Sequence, residues 1–293
     1  MFKGSMVAVV TPMDAQQAID IDAFNRLLEW QIDQGTSGLI VLGTTGESPT
    51  INEQERTLLI QQAILTTQKR VPVIVGVGSN CTAKTIQHAQ SAQALGADVL
   101  LVVVPYYNKP TQAGLFAHFQ AVHEATQRPI ILYNVPGRTA CDLLPETVGQ
   151  LSQLERIVGI KEASGDLTRV EILRSACGED FSLFSGDDAS CASFVLAGGD
   201  GVISVTANVE PKLMTQMIAA ALEKNETKTM ALNAKLADLH QQLFVEPNPT
   251  PVKWALKEKG FIQSGIRLPL LSLTAAHYAV VARAMANVEV VGQ

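Results

Sequence analysis

Lys161 follows the apolar run Ile157-Val158-Gly159-Ile160 and precedes Glu162-Ala163-Ser164-Gly165-Asp166, so a lysine stands at the end of a segment that reads as a short buried strand. Burial disfavours an ammonium. The chain's other lysines sit in polar helices, in loops or near the termini. An ordinary amine, with a pKa of about 10.4, is neutral in roughly one molecule in 10³ at pH 7, and each unit of depression raises that fraction about tenfold. A neutral amine can attack a ketone or aldehyde and form a Schiff base. A lysine in this place can also snorkel past the strand end to solvent or pair with Glu162.

Other polar residues gather in five similar turns. These are Gly43-Thr44-Thr45-Gly46-Glu47-Ser48, Pro105-Tyr106-Tyr107-Asn108-Lys109-Pro110, Tyr133-Asn134-Val135-Pro136-Gly137-Arg138, Ser185-Gly186-Asp187-Asp188 and Val202-Ile203-Ser204-Val205. Each follows an apolar run, and three of the chain's four tyrosines lie in them. The amides and hydroxyls of Gly43 to Gly46 can hold a carboxylate before a helix, or form an ordinary turn with an N-cap threonine. Imine formation needs proton transfers, which a phenol hydrogen-bonded to other hydroxyls can shuttle; Tyr133, Tyr107 and Thr44 can form such a relay. Arg138 can clamp a second carboxylate bidentately or make a surface ion pair. Asp187 and Asp188 have no histidine nearby in sequence, so helix N-capping fits them better than a metal. His88, His118, His123, His240 and His277 fall in helical segments and read as non-catalytic.

The elements that must position these turns alternate. Continuously apolar, β-branched runs read as strands over Met6–Val10, Gly38–Leu42, Val71–Val75, Val99–Val104, Ile130–Tyr133, Ile157–Lys161, Phe181–Phe184 and Gly201–Ser204. Amphipathic segments lie between them. Apolar runs without alternation imply burial on both faces, as in parallel strands under helices. Eight such units predict an α/β fold, a (β/α)₈ TIM barrel, whose chemistry sits in the loops after the strands. A doubly wound sheet is the alternative, but no GxGxxG turn follows the first strand. From about Pro211 the chain turns all helical, through Met214–Leu222, Lys228–Leu243, Pro251–Lys259 and Leu273–Met285. The organisation predicted is a barrel over residues 1–210 carrying the active site, and a helical appendage over 211–293 packed on it.

Composition narrows the function classes. A hydrophobic fraction of 47% with 17% charged residues describes a globular chain. The net charge is −6, with no basic stripe bearing aromatics, so no nucleic-acid partner is expected. No apolar run reaches the roughly 18 residues a membrane helix needs, and Val7–Val10 is too short for a secretory signal. The cysteines at 81, 141, 177 and 191 are widely spaced, which predicts reduced thiols, no structural metal and a cytoplasmic location.

In this order the motifs resemble the dihydrodipicolinate synthase family, within the pyruvate-dependent class I aldolases that include N-acetylneuraminate lyase. The resemblance runs from Gly4-Ser5-Met6-Val7-Ala8 through Asn248-Pro249-Thr250-Pro251-Val252-Lys253 to Arg267-Leu268-Pro269. Arg138 is the selective residue, since the sialic-acid lyase branch lacks an arginine there. The resemblance implies a lyase in which Lys161 forms a covalent imine with pyruvate, with no other cofactor. Tyr133 would donate and accept protons, Thr44 and Tyr107 would complete the relay, and Thr45, the Ile203 backbone and Gly186 would form the pyruvate pocket. Arg138 would bind the carboxylate of L-aspartate-4-semialdehyde, and the product would lead to diaminopimelate and lysine. The resemblance also implies a homo-oligomer, a tetramer built as a dimer of dimers, with Tyr107 reaching the neighbouring subunit's site.

A second, allosteric cleft that binds lysine in many members would here be formed by Ser48, Pro49, Glu53, Arg56, Asn80, Lys84 and Tyr106. Ser48, Asn80 and Tyr106 fit the lysine-sensitive pattern. Pro49 replaces an alanine, Glu53 and Arg56 replace histidines, and Lys84 replaces a glutamate. A cation in place of that acid repels lysine's ammonium groups, so weak or absent lysine inhibition is expected. The alternatives are a related pyruvate-dependent aldolase or dehydratase acting on a sugar acid, and a non-catalytic metabolite-binding barrel.

Overall fold

Eight strands close into a parallel barrel in simple sequence order, β1 to β8, with β8 pairing back onto β1. The structure is a computed structural model and describes residues 2–291. The strands are β1 Gly4–Ala8, β2 Leu39–Val41, β3 Val73–Gly76, β4 Val99–Val103, β5 Ile130–Asn134, β6 Ile157–Glu162, β7 Ser182–Ser185 and β8 Gly201–Ser204. All eight agree with the predicted positions to within about two residues.

Helices α1 Ile21–Asp33, α2 Glu53–Thr67, α3 Thr82–Ala94 and α4 Gln112–Glu124 follow the first four strands. Asp20, Asn52 and Thr111 cap α1, α2 and α4 with side-chain oxygens, and Asn52 and Glu55 form a reciprocal capping box. A four-residue helix α5 Pro136–Thr139, absent from the sequence prediction, leaves β5, and α6 Pro145–Leu151, α7 Thr168–Cys177 and α8 Cys191–Leu196 continue the ring. Beyond β8 come α9 Pro211–Leu222, α10 Glu226–Gln242, α11 Thr250–Glu258 and α12 Ala275–Val291. Helix α9 packs over β1 and against α8, as the helix following the eighth strand of a closed ring does. A division after residue 210 therefore cuts between β8 and its own helix.

The core has two layers. An inner cluster inside the barrel holds Met6, Ile40, Ile74, Leu101, Ile131, Tyr133, Phe184 and Ile203. An outer cluster between barrel and helices holds Val7, Leu39, Val75, Leu100, Leu132, Ile160 and Leu183. Successive strand residues alternate between the layers, as a period of two requires.

One irregularity decides the chemistry. Ile130 pairs with Ile157 but Ile131 pairs with Gly159, so Val158 is an extra residue in β6. Ile157 packs outward. Unbroken alternation would aim Lys161, four residues on, outward as well. The bulge shifts the phase by one, pairs Ile160 with outward Leu132, and pairs Lys161 with inward Tyr133. Gly159 is required beside the bulge, because a Cβ there would lie 2.6 Å from the Ser182 carbonyl oxygen.

Candidate active site

Lys161 and Tyr133 end adjacent strands at the C-terminal mouth of the barrel, each about 6% exposed. The lysine Nζ lies 4.4 Å from the centroid of the tyrosine ring, a cation–π distance. On the far side Gly186, following β7, closes over the lysine stem; a Cβ there would come within 2.8 Å of Lys161 Cε and 2.6 Å of the Ala163 Cβ. The Gly186 amide donates to the Glu162 carbonyl at 2.7 Å, which fixes the lid. Of the two readings left open for Lys161, the pair with Glu162 is not made: the Glu162 carboxylate accepts instead from Asn134, the Ser164 amide and Arg169.

A cavity of about 470 Å³ opens beside this pair. Thr44, Tyr133 and Arg138 line it together with Ser48, Pro49, Glu53, Arg56, Lys84 and Tyr106. The predicted pocket and the predicted second cleft thus share one continuous space in the single chain. Lys161, Thr45, Gly186, Ile203, Asn80 and Tyr107 do not line it. Thr45 is 2% exposed and its Oγ1 accepts from Asn248 Nδ2 at 3.0 Å. This contact spans 203 residues of sequence, and no local pattern announces it. Ile203 packs inside the barrel. The Asn80 carbonyl accepts from Asn108.

The hydroxyls of Tyr133, Thr44 and Tyr107 make no mutual hydrogen bond among the described residues. Tyr107 stands apart at 87% exposed, with a left-handed φ of +75° that is uncommon for an aromatic residue. Arg138 is exposed in α5.

Arg56 and Lys84, two cations named for the second cleft, line the cavity wall. Arg56 is buried and donates to Ser48 Oγ at 3.0 Å and to the Gly76 carbonyl at 2.8 Å. Burial pulls its pKa below the usual guanidinium value. His88, set aside in the sequence, lines the same wall and pairs with Glu53 at 2.9 Å. Burial first, and the Arg56 charge second, push His88 below an ordinary histidine, while the hydrogen bond from His88 lowers the Glu53 carboxyl.

The polar floor is tied down from several directions. Glu47, in a left-handed turn, accepts from Lys253 Nζ and from the Arg267 amide. Burial lowers the pKa of Lys253, opposed by the Glu47 charge. Asp187 accepts from the Ser190 amide and hydroxyl in the turn that precedes α8; Ser190 itself holds the N-cap position, so Asp187 is not the helix cap predicted for it. Asp188 does something else. It accepts from the Ser204 hydroxyl and from the Val205 and Thr206 amides, and so ties the end of β7 to the end of β8. Among the described residues no cluster of three or more His, Cys, Asp or Glu could hold a metal ion, and no helix is long and apolar enough to cross a membrane. The four cysteines are free, with Cys141 and Cys191 buried and Cys81 exposed.

Comparison with known proteins bears on this geometry. The model of the Dihydrodipicolinate synthetase family matches residues 1–288. A protein of Methylococcus capsulatus described as 4-hydroxy-tetrahydrodipicolinate synthase is 52% identical over 285 residues, covering 97% of this chain and 98% of its own. One of Thiobacillus denitrificans with the same description is 50% identical, covering 99% and 98%. Among solved structures, a chloride-inhibited dihydrodipicolinate synthase of Acinetobacter baumannii complexed with pyruvate superposes with a TM-score of 0.97 at 45% identity, covering 99% of both chains.

Proposed function

The chain belongs to the dihydrodipicolinate synthetase family, a family of class I aldolase-type lyases, and on that premise we propose that it condenses pyruvate with L-aspartate-4-semialdehyde through an imine on Lys161. The activity is that of a 4-hydroxy-tetrahydrodipicolinate synthase, a step in diaminopimelate and lysine biosynthesis. The observation that carries this reading is the Lys161 amine, buried and 4.4 Å from the Tyr133 ring centroid at the mouth of a parallel barrel.

The Lys161 amine adds to the C2 carbonyl of pyruvate, and the carbinolamine loses water to give the imine. The Tyr133 phenol moves the protons that this addition and elimination require. Loss of a proton from C3 gives the enamine, whose carbon attacks the aldehyde of the second substrate. The substrate's amino group then closes onto the imine carbon and releases Lys161. The lysine is itself the covalent catalyst, so the reaction calls on no cofactor. Thr45, with Asn248 donating to its Oγ1, keeps its own hydroxyl proton for the pyruvate carboxylate. Gly186 packs against the Lys161 stem, the Ile203 backbone is assigned to the bound pyruvate, and Arg138 on the cavity wall receives the second substrate's carboxylate.

Tyr107 completes the relay in a neighbouring subunit. Its 87% exposure and its φ of +75° support that role, since both are unfavourable in an isolated chain. The unit is thus a homodimer at least, paired into a tetramer, working in the cytoplasm with its thiols reduced.

Incubation with pyruvate and borohydride tests the reading. The expected product carries a reduced pyruvate adduct on the peptide bearing Lys161, and an unmodified peptide would sink the proposal. Arg138→Ala separates this substrate from a sugar acid: trapping of pyruvate persists, while kcat/KM for the semialdehyde falls by about 10- to 100-fold, the worth of a charged hydrogen bond.

A further inference from the structure

The reactive pair has a second pair behind it. Tyr133 and Lys161 point into the barrel, so Asn134 and Glu162, the next residues of β5 and β6, point outward and are themselves register partners. Both are buried, at 0% and 3% exposure. Asn134 Nδ2 donates to Glu162 Oε2 at 3.1 Å and to Asp142 Oδ1 at 2.8 Å, while its Oδ1 accepts from the Leu143 amide at 3.0 Å. Arg169, from α7, reaches over both acids, donating to Asp142 Oδ1 at 2.9 Å and Glu162 Oε2 at 3.4 Å. Glu162 Oε1 accepts from the Ser164 amide at 2.7 Å. Burial raises the Asp142 pKa, but the hydrogen bonds from Arg169 and Asn134 outweigh it and hold the carboxyl below its ordinary value.

We propose that Asn134, Glu162, Asp142 and Arg169 form a positioning cluster that locks the ends of β5 and β6 together and so sets the distance and orientation of the Lys161 amine against the Tyr133 phenol. The inference rests on the imine reading above.

Three features support it. The cluster is attached to the reactive residues by single peptide bonds, so a shift in either outer side chain moves its inner neighbour. Its side chains lie one layer out of the cavity, so they act on the reaction through the backbone that carries Lys161 and Tyr133 and through the Gly186 amide held by the Glu162 carbonyl. Its hydrogen bonding is also fully assigned: Glu162 uses both oxygens as acceptors, from Ser164 on one side and from Asn134 and Arg169 on the other. A glutamine of the same shape must turn its NH₂ toward one of those donors. A misplacement of about 1 Å at a reacting atom can slow chemistry on the order of 10²-fold.

The barrel provides its own control at the opposite end. Asp200, just before β8, is 4% exposed and accepts from the Leu183 amide at 3.0 Å and from Arg174 at 2.8 Å. It is a comparable buried acid–arginine contact, far from the mouth along the strands.

The test is rapid-quench trapping with saturating pyruvate and borohydride, read by intact mass, on the full chain and on Glu162→Gln, Arg169→Lys and Asp200→Asn. Glu162→Gln is expected to reach the same final occupancy as the unaltered protein but about tenfold or more slowly. Arg169→Lys, which keeps the charge and loses the fork, is expected to fall between the two. Asp200→Asn should trap within about twofold of the unaltered rate. If Glu162→Gln and Arg169→Lys trap at the unaltered rate, or if Asp200→Asn slows as much as they do, the cluster is merely structural and the inference is overturned. Should Glu162→Gln fail to fold, Arg169→Lys against Asp200→Asn decides by the same criterion. An unaltered protein that traps no pyruvate overturns the imine reading itself, a result distinct from unequal rates among variants that all trap.

Discussion

Lys161 and Tyr133 are register partners on β6 and β5, and the lysine amine sits 4.4 Å over the tyrosine ring. The ring and the hydroxyl of Tyr133 therefore serve Lys161 in different ways. Tyr133→Phe keeps the cation–π face and removes only the proton carrier. It is expected to leave stability within about 1 kcal/mol and to slow imine formation by roughly 10²-fold or more. Trapping kinetics beside a denaturant titration separate the two effects. Equal trapping rates would remove Tyr133 from the proton relay.

Gly186 packs closely against the lysine stem. Gly186→Ala places a methyl 2.8 Å from Lys161 Cε, on the reactive side chain itself, and 2.6 Å from the Ala163 Cβ, whose position is set by the backbone just past β6. Overpacking of this kind destabilises by about 1–3 kcal/mol and displaces the lysine stem. Loss of pyruvate trapping in a variant that still melts cooperatively is the expected outcome.

The cavity wall predicts insensitivity to lysine. Arg56 already engages Ser48, and Lys84 adds a second positive charge, while the two acids of the lining are both engaged, Glu53 with His88 and Glu47 with Lys253. A diammonium ligand meets like charge there. Initial rates should be unchanged by submillimolar L-lysine; inhibition in that range would contradict the assignment. Lys84→Glu tests the charge argument directly, since it should raise lysine affinity.

His118 couples stability to pH. Its Nδ1 contacts Thr82 Oγ1 at 3.0 Å, its Nε2 is buried without a hydrogen-bond partner among the described residues, and burial lowers its pKa from 6.5 to about 4. The folded state thus disfavours the proton more than the unfolded state does. The stability contributed by the neutral ring is present above pH 6.5 and is lost as pH falls from there through about 4. The full loss is on the order of 3 kcal/mol. Denaturant midpoints at pH 7 and pH 5 should differ less in His118→Leu than in the unaltered protein, and an unchanged difference would remove His118 as a source of acid sensitivity.

Much of the fold was legible in the chain because its strands are short, β-branched and apolar on both faces, a pattern that parallel burial imposes. The turns that hold Thr44, Tyr133, Arg138, Lys161 and Gly186 could be read because polar residues immediately after such strands stand out. Helix α5 was not legible, since four residues starting with a proline carry no period. Nor was the role of Asn248, whose partner Thr45 lies 203 residues away. The pairing of His88 with Glu53 joins neighbouring helices across 35 residues and leaves no local trace.

The sequence by itself determined that a lysine would end a buried strand among tyrosines, a threonine pair and an arginine, because residue type and order are local properties. It could not determine which way that lysine faces. Side chains on a strand alternate strictly, and one extra residue reverses every position beyond it. Only the closed barrel, by pairing Ile131 with Gly159 and leaving Val158 unmatched, turns Lys161 inward to Tyr133 and sends Glu162 outward to Asn134.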